Sequence, residues 1–80
     1  MEKNILKLKT IIDQKLEIGE KMKLSHFGKN QDIMLKIEKE TEYIKINVNA
    51  NNNRKVNIQD ITVLNINVLE NVLMMLFENA

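Results

Sequence analysis

Lys55-Val56-Asn57-Ile58-Gln59-Asp60-Ile61-Thr62-Val63-Leu64 is the stretch on which the fold turns. Read with a period of two, it is a strand. Read with Asn57 as an N-cap and Asp60 at the third position, it opens one long helix from 58 to 79. The helical reading places Ile58, Ile61, Val68, Leu69, Val72 and Leu76 on one face but strands Asn65 among them. The β-branched density of Ile61-Thr62-Val63 favours the strand. In that version the strand puts Val56 opposite Val48 and Ile58 opposite Ile46, and a final helix begins near Asn67.

Upstream, residues 32 to 48 alternate cleanly. Ile33, Leu35 and Ile37 alternate with Met34, Lys36 and Glu38, then Ile44, Ile46 and Val48 with Tyr43, Lys45 and Asn47. A turn at Glu40-Thr41 pairs Ile37 with Ile44, Leu35 with Ile46 and Ile33 with Val48. All six aliphatics then share one sheet face, and a slip by one residue would point half of them at water. Asn51-Asn52-Asn53 supplies the next turn, since Asn tolerates left-handed backbone better than most residues.

Residues 2 to about 24 read as an amphipathic helix, with Ile5, Leu8, Ile11, Ile12, Leu16, Ile18 and Met22 on its apolar side. Lys9–Asp13 and Glu17–Lys21 are spaced as i,i+4 ion pairs, worth about 0.2–0.5 kcal/mol each. Gly19 is the weak point of this helix: it costs about 1 kcal/mol within it or ends it early. Ser25 to Asn30 follow as a loop.

The closing stretch, Asn67 to Ala80, is the densest apolar run in the chain. Asn67 is expected to cap the first turn, with Glu70 three residues on completing a capping box. At 100° per residue Val68, Leu69, Val72, Met75 and Leu76 form one apolar face. Ile66, Leu73 and Phe77 form another, with Met74 beside them. Two apolar faces predict burial on two sides. Either the first helix and the sheet wrap this helix, or Ile66, Leu73, Met74 and Phe77 form an interface, with a second copy of the chain as the first candidate partner.

Eighty residues make one domain, 1–80, with expected stability of roughly 4–12 kcal/mol. Twelve basic residues against eleven acidic ones disfavour both a polyanion mimic and a strongly basic nucleic-acid binder. The chain contains no Cys, which excludes disulfides and thiolate metal sites. No secretory signal and no membrane-spanning apolar run is apparent, so a cytoplasmic location is expected. Asn, Ile and Lys supply 34 of the 80 residues, and Lys outnumbers Arg 11 to 1. AT-rich coding DNA favours those residues through their codons, pointing to an AT-rich bacterium or a phage living in one.

Little here can do catalysis. His26 stands alone, without an orienting carboxylate or enough companions for a metal. Gly28-Lys29-Asn30 lacks the glycines of a phosphate-cradling loop, and a strand pattern follows it. Asp13, Glu17 and Glu20 alternate with lysines on an exposed side, as a solvated face does, and lack the burial that paired catalytic carboxylates need. No enzyme, cofactor or metal is expected. Lys36, Lys45, Arg54 and Lys55 around the hairpins are the residues a nucleic acid would meet, and Lys36 and Lys45 are expected to be cross-strand neighbours. Duplex or single-strand recognition would want more Arg and more exposed aromatics than Tyr43 alone.

The expectation is an α+β two-layer sandwich: a long N-terminal helix, a small antiparallel sheet of two or three strands, and a C-terminal helix, in the order αβββα, or αββα in the helical reading. Its expected role is a small non-catalytic protein-binding module, homodimeric through the C-terminal helix. The codon-biased composition and small size suggest a phage or mobile-element inhibitor of a host defence nuclease, an anti-CRISPR for example. The alternative is a small nucleic-acid-binding or regulatory protein.

Overall fold

Two helices cover one face of a four-stranded antiparallel sheet in the computed structural model, which describes residues 2–78 and 80. Met1 and Asn79 lie outside the described residues, the latter within the expected closing helix. Helix α1 (Glu2–Thr10) runs into a π-helical turn (Ile11–Lys15), followed by β1 (Lys21–Phe27), β2 (Asp32–Lys39), β3 (Ile44–Asn52), β4 (Lys55–Val63) and α2 (Ile66–Glu78). The strands lie in sequence order, each paired with the next. The expected α+β two-layer fold holds, with one strand more than expected: αββββα.

The extra strand comes from the end of the expected first helix. Leu16 N–H donates to Ile11 O at 2.9 Å, one residue further than an α-helical bond, and Leu16 itself is extended. Gly19 sits at φ +88, which only glycine adopts without strain. Its N–H donates to Lys39 O at 2.7 Å, seating the chain at the edge of β2. From Lys21 onward, Met22, Leu24 and His26 alternate with Lys21, Lys23 and Ser25, half-buried against exposed. Met22 fitted the helical stripe equally well, whereas Leu24 falls on the opposite side of such a helix. The helix ends before Glu17 and Lys21, which removes that expected ion pair, and Lys21 approaches Glu38 at 3.9 Å. Lys9 approaches Glu70 on α2 at 3.9 Å, and the wider π-helical turn falls between it and Asp13.

The β2–β3 register differs from expectation by two residues. Ile37 faces Ile46, Leu35 faces Val48 and Ile33 faces Ala50, across a loop of four residues, 40–43. Tight two-residue hairpins of the primed types need positive φ, and Glu40-Thr41 contains no residue suited to it. An even shift leaves every aliphatic on the same face.

The strand reading of residues 55–63 is correct, but its register is not. Asn52 pairs with Lys55 across the two-residue turn Asn53-Arg54, so Ile46 faces Ile61 and Val48 faces Gln59. None of the three turn asparagines adopts positive φ. Asn52 instead closes the turn with its side chain, Oδ1 accepting from Arg54 N–H at 3.1 Å and Lys55 N–H at 2.9 Å. The shift here is odd, so the faces exchange. Ile61 and Val63 point to the core, and Val56 and Ile58 point away from it.

The core is aliphatic apart from Phe77. Ile5, Leu8 and Ile12 come from the first helix, Leu69, Leu73 and Phe77 from α2, and the rest from β2, β3 and the end of β4. Helix α2 is capped by Asn65, not Asn67: Asn65 Oδ1 accepts from Asn67 N–H at 2.9 Å, the second residue of the helix. Glu70 therefore sits too far along for a capping box. The expected faces of α2 also change. Leu73 and Phe77 are only 0% and 8% exposed, Ile66 and Met74 pack partly buried beside them, and Val68 and Met75 face outward. Leu69, Leu73 and Phe77 follow an i, i+4, i+8 row that drifts 40° per step, carrying the core from one expected stripe into the other. The sheet and α1 together enclose this side, so Leu73 and Phe77 belong to the core of the single chain, with Ile66 and Met74 partly buried against it.

Candidate functional site: the open face of the sheet

Strand pairing fixes which side chains share the uncovered face. At one end Lys21, Glu38, Lys45 and Thr62 lie in a row, and Lys23, Lys36, Asn47 and Asp60 lie in the next. Towards the other end come Ser25, Met34, Asn49 and Ile58, then Phe27, Asp32, Asn51 and Val56. The face is thus divided into a charged half and an apolar-and-asparagine half.

In the charged half acids interleave with lysines. Glu38 is near Lys21, and Asp60 Oδ1 accepts from Asn47 Nδ2 at 2.9 Å. A shallow depression of about 340 Å³ lies among Lys21, Lys36, Glu38, Lys45 and Asp60. Lys36 and Lys45 share this face but are diagonal neighbours. The directly opposed cations are Lys23 and Lys36. Arg54 and Lys55 stand at the far tip of the β3–β4 hairpin. Lys45 pairs with Thr62, seven residues along β4 from Lys55, or about 23 Å of strand. The four candidate nucleic-acid contacts therefore do not converge.

In the other half Phe27, Met34, Val56 and Ile58 are all exposed, Phe27 to 76% and Ile58 to 64%. Met34 and Ile58 flank Asn49 in one row. Asn49 Oδ1 is shielded from water and has no hydrogen-bond partner among the described residues. A buried acceptor left unpaired costs about 1–3 kcal/mol. A periodic reading of 55–63 with the correct turn would have found Val56 and Ile58. Phe27 was hidden by the reading of 25–30 as a loop.

His26 lies on the helix-covered face of β1, half-buried, its ring 5.0 Å from that of Phe77 and tilted 45°. Together they border an open groove of about 600 Å³ between α1 and β1, with Ile5, Leu8, Ile11 and Leu24 among its walls. Among the described residues no cluster of His, Asp and Glu could hold a metal ion. No described helix is long and apolar enough to cross a membrane. No family model matches the chain, and no curated protein or solved structure matches it either.

Proposed function

We propose that this chain is a small non-catalytic protein-binding module that uses the distal half of its uncovered sheet face. The observation that carries the reading is the apolar set Phe27, Met34, Val56 and Ile58, held exposed around the unpaired acceptor of Asn49. Rigid strands hold these side chains at fixed spacing, and exposed apolar surface rimmed by polar groups is characteristic of interfaces.

A phage or mobile-element inhibitor that occludes a host defence nuclease is the setting favoured by the coding bias and small size. The test is titration of purified defence nucleases, CRISPR effectors among them, with the native chain and with Phe27→Glu/Met34→Glu. Stoichiometric loss of cleavage with the native chain, absent with the variant, supports the reading. Equal behaviour of the two removes this face from consideration.

The opposed pair Lys23 and Lys36 favours one second reading, an anionic partner such as single-stranded nucleic acid over the charged half. Binding that weakens steeply with added salt and vanishes in Lys23→Ala/Lys36→Ala would establish it.

A further inference from the structure

We propose that a second copy of the chain pairs along β4, joining two four-stranded sheets into one of eight strands about a two-fold axis. The inference stands on the free edge of β4. It shares Val56 and Ile58 with the reading above but does not depend on it.

The sheet has two edge strands, and they differ in their defences. Strand β1 is seven residues long and carries Lys21 and Lys23, the usual guard against edge-to-edge pairing. Strand β4 is nine residues long, pairs one-to-one with β3 from Lys55 to Val63, and so contains no bulge. It has no Pro and no Gly. Six successive residues, Lys55 to Asp60, are exposed, because α2 leaves the end of β4 and reaches the β1–β2 turn, where Asn30 N–H donates to Ala80 O at 2.7 Å. A row of backbone donors and acceptors is thereby left open at the edge.

Charge selects the occupant. Lys55 and Asp60 are the only charged residues of β4 and they cancel, so two copies do not repel. A copy presented to β1 would meet Lys21 and Lys23. Antiparallel pairing about a two-fold axis keeps each face continuous only if outward residues meet outward residues. With Asn57 on the axis every opposed pair is compatible. Val56 meets Ile58 of the partner copy, and Ile58 meets its Val56. Arg54 comes opposite Asp60 of the partner, and Lys55 opposite Gln59. With Ile58 on the axis, Val56 would face Asp60 instead. The axis through Asn57 also joins the two apolar patches into one strip across the centre of the dimer.

The test uses the absence of native cysteine. Asn57→Cys should be trapped as a covalent dimer by mild oxidation or a short bis-maleimide. Lys55→Cys should not, because its two copies sit about 13 Å apart along the strands. Nor should Ser25→Cys on β1. By sedimentation at micromolar concentration the native chain should run at twice its 9.4 kDa mass, and Ile58→Lys at the single mass with an unchanged circular dichroism spectrum. A native monomer overturns the proposal, including one whose edge captures a foreign strand instead. So does a dimer that Asn57→Cys fails to trap. Met34→Glu separates the two ideas: it should leave the dimer intact while removing partner inhibition.

Discussion

Gly19 and Gly28 are the only glycines of the chain, and they are needed for unrelated reasons. Gly19 has open space where a Cβ would go, but its φ of +88 penalises any other residue. Gly19→Ala should therefore cost about 1 kcal/mol or slightly more by backbone strain alone, measured by urea denaturation. At Gly28 a Cβ would overlap the backbone carbonyl of Ala80. Gly28→Ala should cost about 1–3 kcal/mol by displacing that contact, and it should increase amide exchange at Asn30, whose N–H donates to Ala80 O. The apolar residues of α2 give the second comparison at this scale. Leu73→Ala empties a fully buried position and should cost about 2–5 kcal/mol. Met75→Ala, on the exposed side, should fall within about 0.5 kcal/mol of neutral. Equal losses would mean that the helix is rotated from the orientation described. The sequence could not choose between the two faces of α2, because Leu69 and Leu73 differ by only 40° and apolar residues flank both.

Elements are set by their ends more than by their middles. The cap of α2 shows this, since two asparagines stand two residues apart and only one accepts from the first turn. Asn65→Ala should lower stability by about 1 kcal/mol, and Asn67→Ala by much less, by thermal or chemical unfolding. The strands of the central hairpin were legible because six aliphatics alternate without interruption, and alternation survives a register shift of two. Strand β1 was not legible. Met22 suits both a stripe of period 3.6 and an alternation of period two, and Leu24, which suits only the second, is too little on its own to outweigh the long stripe before it. The deciding facts are the early helix exit at Leu16 and the hydrogen bond from Gly19 to Lys39, a residue twenty positions on. Non-local pairing of that kind leaves no trace in periodicity. Strand β4 was legible as an element but not in orientation, since its turn is closed by a side chain, which a count of turn residues does not show.

At the scale of the whole molecule, the packing is uneven. The chain measures 37 × 23 × 17 Å, and the core runs the length of β2 and most of β3 beneath the helices. Burial there is shared by α1, α2, β2 and β3, while Lys55 to Asp60, at the uncovered corner, contribute exposed side chains only. Amide exchange should follow this gradient: slowest at Leu35, Ile37 and Ile46, fastest at the β3–β4 tip around Asn53. In the dimer proposed here, β4 amides that point away from β3 should gain protection as concentration rises. A protection pattern independent of concentration would count against that assembly. Which surface stays open follows from how α2 crosses the sheet.

The turn at Asn53-Arg54 has a consequence of its own. Because Asn52 closes it with two residues, the even-numbered members of β4 look outward and the odd-numbered ones inward. Adding one residue there would transpose the strand: Ile61 and Val63 would leave the interior, and Val56 and Ile58 would turn towards the side of the sheet that carries the helices. An amide side chain at position 52 thereby governs which chemistry a whole strand displays, and evolution could recast the display by lengthening one bend.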